Sequence, residues 1–162
     1  MRTLLLDPDD RLRRICSEVK TIDSYVKALA NELTDFIRRG PVKHKDWELT
    51  PLGMAAPQLG ELIQLFVIDT PALSLTMINP RLIKTVGSHK LYEGCLSLPG
   101  RTFIVERPKI VKFKGLDLEG RERSIKLRDS LAQCAIHEME HLVGILIDNQ
   151  AITEIVAQAP HA

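Results

Sequence analysis

The stretch from Asp129 to Gly144, DSLAQCAIHEMEHLVG, places the tightest limit on how this chain folds. On a helix, Leu131, Ala135, Ile136, Met139, Leu142 and Val143 would cover most of the circumference, the pattern of a helix surrounded by protein. Asp129 fits the N-cap and Gly144 the stop. Yet His137, Glu138 and His141 sit inside this apolar cylinder, and burying polar groups without partners is costly. Their partners must come from elsewhere in the chain.

The other elements follow from periodicity. Ile22, Val26, Leu29, Ala30, Leu33, Phe36 and Ile37 step by three and four, predicting an amphipathic helix with Thr21 as N-cap and Gly40-Pro41 as stop. Leu62 to Asp69 is an apolar run of strand length, and Thr76 to Ile78 reads as a short strand closed by Asn79-Pro80. Ile110 to Leu118 alternates, loses phase at Gly115 as a bulge would, and turns at Glu119-Gly120 into a strand ending near Leu127. Arg38 to Thr50 is polar and basic and reads as a surface loop. Helix, strands, helix is an α+β order. The 162 residues fit one domain over 1–150 with a short C-terminal tail over 151–162.

Bulk properties exclude several classes. A formal net charge of +1 creates no field toward nucleic acid or an anionic membrane. The odd set Cys16, Cys95 and Cys134 lacks redox or knuckle spacing, so a reducing compartment is expected. The leucines near the N-terminus are too few for a signal-peptide core, and no run reaches membrane-spanning length. A cytoplasmic protein is the expectation. His44, His89 and His161 lack motif context and read as exposed or loop histidines.

His137 and His141, four residues apart, leave a helix on one face and can share a tetrahedral metal at roughly 2.0–2.1 Å. Glu138 beside them can reach a bound water without being a ligand. The bland alternative is a chance HExxH on a surface helix, which the apolar flanks oppose. A third ligand is needed. The residues after His141 lack a further histidine at the zinc-peptidase spacing, and Asp148 and Glu154 have no context. Cys95, within YEGCLSLP, competes with Cys134, one turn before His137. Spacing favours Cys95 and leaves both open. In LGMAAPQLG, Gly53, Ala55 and Ala56 permit close backbone approach, and Gln58 is the polar member of an apolar run. No lysine follows, so it is not a phosphate loop.

Together these segments resemble the three signature motifs of the peptide deformylases. PLGMAAPQ at Pro51 to Gln58 matches GxGxAAxQ, EGCLS at Glu93 to Ser97 matches outright, and HEMEH matches HExxH, usually HExDH. The order agrees, as do DPDDRLRR at Asp7 to Arg14 and INP at Ile78 to Pro80. The resemblance implies antiparallel strands wrapped around a central metal-bearing helix. It implies Cys95, His137 and His141 as ligands of one divalent metal, Fe(II) physiologically, with zinc, nickel or cobalt able to replace it. Implied roles are proton transfer by Glu138 and hydrogen bonds to the substrate carbonyl from the Gln58 amide and the Leu96 N–H. The implied substrates are N-formylmethionyl nascent peptides, losing formate. Gly53, Met54, Gly94, Gln133 and Cys134 are the implied substrate contacts. Glu140, in place of the family aspartate, is matched to Arg107, a plain surface glutamate being the other reading.

The sequence also departs from the pattern. Pro51 replaces a glycine, so positive φ is closed to that position. The Arg38 to Thr50 link is long and should border the substrate cleft. Ser130 and Gln133 fall where the family builds an apolar methionine pocket, which raises a second reading, an amidase with altered N-acyl preference. A binding module without catalysis is disfavoured, because Cys95, His137, His141, Glu138 and Gln58 are all present. The residues after Asn149 include no Lys or Arg, so ribosome docking by a basic C-terminal helix is not expected. Organellar, phage-encoded and divergent bacterial origins are all compatible.

Overall fold

The structure, a computed structural model, describes residues 2–155. In chain order the elements are α1 (Ser24–Arg38), β1 (Val42–His44), β2 (Trp47–Leu49), β3 (Gly53–Ala55), β4 (Leu65–Thr70) and β5 (Leu73–Val86). There follow β6 (His89–Gly94), β7 (Thr102–Arg107), β8 (Ile110–Leu116), β9 (Glu122–Arg128), α2 (Asp129–His141), α3 (Ile147–Gln150) and β10 (Thr153–Ile155).

Side-chain alternation along β4 decides the layering. Leu65 and Val67 face one way and pack with Val26, Leu29, Ala30, Leu33 and Ile37 of α1. Phe66 and Ile68 face the other way, with Ala132 and Ala135 of α2. An antiparallel sheet in the order β3-β4-β5-β8-β9 is thus sandwiched at its β3–β4 end between the two helices. A second antiparallel sheet, β10-β7-β6, contacts α2 through β7. The expected α+β fold with antiparallel strands around a central helix holds, and α2 buries Ala132, Cys134, Ala135, His137, Glu138 and His141.

Several local expectations are corrected. Asp23, not Thr21, caps α1, its Oδ1 accepting from Val26 N–H at 3.0 Å. Asp129 makes no side-chain cap; it enters α2 with φ 52 and donates its N–H to Lys109 O at 2.9 Å. The irregularity expected at Gly115 lies on its other neighbour: Gly115 stays in register opposite Arg123, while β5 shifts register between Ile78 and Arg81, facing it. That glycine reflects crowding, since a Cβ there would lie 2.8 Å from Ile78 O. Arg38 to Thr50 is not an open loop: β1 and β2 pair as a hairpin with Lys45 at positive φ. Its half-buried Trp47 and Leu49 flank the exposed Glu48 and rest against Gly94. His89 lies in β6, its Nε2 buried without a partner among the described residues. Thr153–Ile155 are not tail but strand β10, paired with β7. His161 lies outside the described residues.

The largest difference is β5, which continues through Asn79-Pro80 where a stop was expected. The register shifts between Ile78 and Arg81, so Pro80 sits where no ladder hydrogen bond is required. Asn79, at φ 49, turns its amide onto Val19, accepting from the N–H at 2.8 Å and donating to the carbonyl at 2.9 Å. The side chain substitutes for a strand neighbour. Asn79→Ala should leave both Val19 groups unpaired and lower stability by about 1–3 kcal/mol, read as a lower urea midpoint at unchanged slope.

Candidate active site

Three backbone features meet at one end of α2. The short 3₁₀ turn at residues 56–59 follows β3 directly and carries Gln58. A tight turn after β6, closed by Leu98 N–H donating to Cys95 O at 2.9 Å, carries Cys95 and Leu96. The N-terminal segment ties the two turns together, Leu5 N–H donating to Gln58 O and Asp7 N–H to Ser97 O.

Cys95 Sγ lies 3.5 Å from His141 Nε2, which lies 3.2 Å from His137 Nε2. The three ligand atoms all fall within 4.8 Å of one another, the one such group among the described residues. Ligands around a tetrahedral ion, with nitrogen at roughly 2.0–2.1 Å and sulfur at about 2.3 Å, stand about 3.3–3.6 Å apart. The separations of His141 from Cys95 and from His137 match such a site, and one thiol with two imidazoles is a donor set that fits a divalent metal. Cys134 does not join it. This thiol faces Gly53, and burial, with the charges of Glu138 and Glu93, pushes its pKa well above the ordinary thiol value.

Glu93 was not singled out in the sequence reading, yet it organises the site. Its Oε1 accepts from His137 Nδ1 at 2.7 Å, which turns Nε2 of that ring toward Cys95 and His141. Arg107 Nη2 donates to the same oxygen at 2.6 Å, and Arg107 Nε to Oε2 at 3.0 Å. Burial alone would raise this carboxyl, but the bonds from His137 and Arg107 outweigh it and hold the pKa at about 2. Arg107 also reaches Glu140 at 2.7 and 2.9 Å, the pairing matched to these residues from the sequence. Its place within the motif, two residues before Cys95, was the one available signal for Glu93.

Glu138 stands apart from this network. It is buried, its Oε2 has no hydrogen-bond partner among the described residues, and burial pushes its pKa up to about 7. Gln58 Oε1 accepts from Ala55 N–H at 3.0 Å, so the amide nitrogen turns inward, 3.3 Å from Ser97 Oγ and 3.9 Å from Cys95 Sγ.

These groups open onto a cleft of about 210 Å³. Gln58, Leu96, Cys95, His137, Glu138, Gly53, Gly94, Gln133 and Cys134 all border it, as do Leu49 and Thr50 of the expected loop. His141 closes the site from behind, 1% exposed. Met54 is a correction: alternation along β3 turns it away from α2 into the core beneath α1. Gly53 is confined sterically. A Cβ there would stand 2.7 Å from Cys134 Sγ and 3.0 Å from Glu138 Oε1. Gly53→Ala should cost about 1–3 kcal/mol through this overpacking, measured by denaturant unfolding.

Comparison with known proteins agrees with the geometry. The sequence model of the family described as polypeptide deformylase matches residues 1–154. A peptide deformylase of Alkaliphilus metalliredigens is 38% identical over 154 residues, covering 95% of this chain and 99% of its own length. One from Thermomicrobium roseum is 37% identical, covering 90% and 83%. Among solved structures, a Legionella pneumophila peptide deformylase superposes with TM-score 0.82 at 34% identity, covering 93% of this chain and 85% of that one. A Synechococcus elongatus peptide deformylase in complex with actinonin gives 0.84 at 33%, covering 94% and 79%. With its three motifs converging as the fold demands and relatives matching nearly end to end, this chain belongs to the polypeptide deformylase family of metallohydrolases.

Proposed function

We propose that the protein hydrolyses the formyl group from N-formylmethionyl peptides of nascent proteins, releasing formate and a free N-terminal amine. The observation that carries this reading is the convergence of Cys95 Sγ and the two Nε2 atoms beside Glu138, whose Oε2 has no partner among the described residues, in one cleft. Cys95, His137 and His141 would hold one divalent metal, and one thiolate with two imidazoles suits iron, zinc, nickel or cobalt. The family resemblance points to Fe(II) as the physiological ion. When bound, the metal supplies Lewis acidity and lowers the pKa of water.

The chain's own residues do the rest. Glu138 accepts the proton of the attacking water and delivers it to the amine nitrogen as the C–N bond breaks. Gln58 Nε2, its orientation fixed by the bond from Ala55 N–H to Oε1, donates to the carbonyl oxygen as negative charge develops there. The Leu96 N–H, which makes no hydrogen bond within the turn that carries it, is the second donor. Glu93 holds the His137 ring in place, and such outer partners sharpen ligand geometry.

The reading treats residues 1–150, extended by β10, as one catalytic domain, and calls for neither nucleic acid nor membrane as partner. No helix among the described residues is long and apolar enough to cross a membrane. Three free, buried cysteines support a reducing, cytoplasmic setting.

The test follows amine release from formyl-Met-Ala-Ser and acetyl-Met-Ala-Ser in oxygen-free buffer with Fe(II). Turnover of the formyl peptide alone is expected, with activity decaying in air as ferrous iron oxidises. Absence of formyl hydrolysis by the metal-loaded protein, or equal attack on the acetyl peptide, would end the proposal.

A further inference from the structure

We propose that Gln133 makes the cleft select for a first residue whose side chain carries a hydrogen-bond donor, removing the usual advantage of methionine. The inference rests on the deformylase reading above and names the substrate class of the same site.

Ser130, Gln133, Cys134 and His137 succeed one another at helical spacing, forming one face of α2, and all four border the cleft. Gln133 lies one turn from His137, a rise of about 6 Å. The α-carbon of a formyl peptide is two bonds from the formyl carbon. A linear side chain of four heavy atoms, about 5 Å long, spans from there to Gln133.

The orientation of the Gln133 amide is set by its neighbours. Nε2 donates to Tyr92 O at 3.0 Å and to Glu93 Oε2 at 3.1 Å. Flipping the amide would bring its oxygen against a carbonyl and a carboxylate, neither of which can donate. Both amide hydrogens are therefore used on β6, and Oε1 is left as the free atom. That oxygen accepts no hydrogen bond from the described residues and is not among the buried polar atoms sealed from solvent. Gln133 borders the cleft with its amide orientation fixed and its oxygen as the atom left to bond a ligand, and the exposed Ser130 lies one turn further along.

A thioether pressed against this oxygen removes its water and returns nothing. An unsatisfied neutral acceptor weakens binding by about 5- to 100-fold. A side-chain amide, ammonium or hydroxyl of similar length replaces the lost bond. Formyl-Met remains a substrate, but its lead over such residues is erased.

Three peptides read this: formyl-Met-Ala-Ser, formyl-Gln-Ala-Ser, and the analogue with 2-amino-5-oxohexanoic acid first, a methyl ketone that matches glutamine in shape, CH3 for NH2, but has no donor. Values of kcat/KM are taken with the wild-type metalloprotein and with Gln133→Leu. Dissociation constants are taken in the Glu138→Gln background, where hydrolysis is slowed enough to measure binding. The glutamine peptide should exceed its ketone analogue about tenfold, in kcat/KM with the wild type and in affinity in the Glu138→Gln background, with both ratios falling toward one when Gln133→Leu is introduced. Equal kcat/KM for amide and ketone with the wild-type protein would overturn the inference, and that comparison needs no folded variant. If no formyl peptide is turned over, the proposed function falls, whereas the binding ratio still decides the role of Gln133.

Discussion

Glu138→Gln is expected to lower kcat/KM for formyl peptides by about 10²–10⁴-fold while metal content stays at the wild-type level. The substitution keeps the size and burial of a residue only 3% exposed, so packing changes little. It removes the carboxylate that would take the proton from water and pass it to the departing amine, and proton transfer of this kind contributes about 10²–10⁴. Glu138 lies outside the ligand group of Cys95, His137 and His141, which is why the metal should remain. Cys95→Ala makes the contrast, because it deletes the sulfur and should lose metal and activity together. Metal analysis of the purified variants, paired with amine-release rates, separates the two. A Glu138→Gln protein that keeps its metal and turns over within a few-fold of wild type would exclude the assigned proton transfer.

Much of this site was legible before any coordinates, and the reasons are local. HEMEH needs only helical spacing to bring two imidazoles together, and the apolar flanks said the helix would be buried. Helix α1 and the β8–β9 hairpin were visible because their periods are regular over many residues. What periodicity could not reach were interactions between segments distant in sequence. Whether Cys95 or Cys134 completed the ligand set was open from spacing. Geometry favours Cys95, since the β6 turn brings its Sγ to 3.5 Å from His141, while Cys134 faces Gly53.

Strand β5 was cut short because Asn79-Pro80 reads locally as a stop, and the Asn79–Val19 exchange that sustains it joins residues 60 apart in sequence. Charged composition concealed the β1–β2 hairpin, whose two inward residues, Trp47 and Leu49, have neighbours only once Gly94 is placed beside them. Met54 was read into the site because it sits inside a motif, but a strand sends adjacent side chains to opposite faces. Glu93 lay in plain view in EGCLS. Its role depends on Arg107 and His137, neither of which is near it in sequence.

That dependence underlies the second large effect. Arg107→Met should destabilise the fold by about 3–5 kcal/mol, the range for removing one partner of a buried charge network. Arg107 is 3% exposed and makes two bonds to each of Glu93 and Glu140. Burial works against its charge, but those two carboxylates outweigh the penalty and raise its pKa. Methionine fills much of the same volume, so the loss would come from stranded carboxylates and not from a cavity. Glu93 would keep only His137 and Gln133 as partners, and its hold on the His137 ring would slacken; loss of such an outer-sphere partner weakens metal binding by about 10- to 100-fold. Urea unfolding at neutral pH reads the first effect and metal competition with a chelator the second. Adding Glu93→Gln and Glu140→Gln to Arg107→Met should recover part of the stability, because the orphaned charges are then gone, but not the metal affinity, because a neutral amide orients imidazole less firmly than a carboxylate. A loss under about 1 kcal/mol for Arg107→Met would mean that the pair behaves as a solvated surface contact and that His137 and Gln133 suffice to hold Glu93.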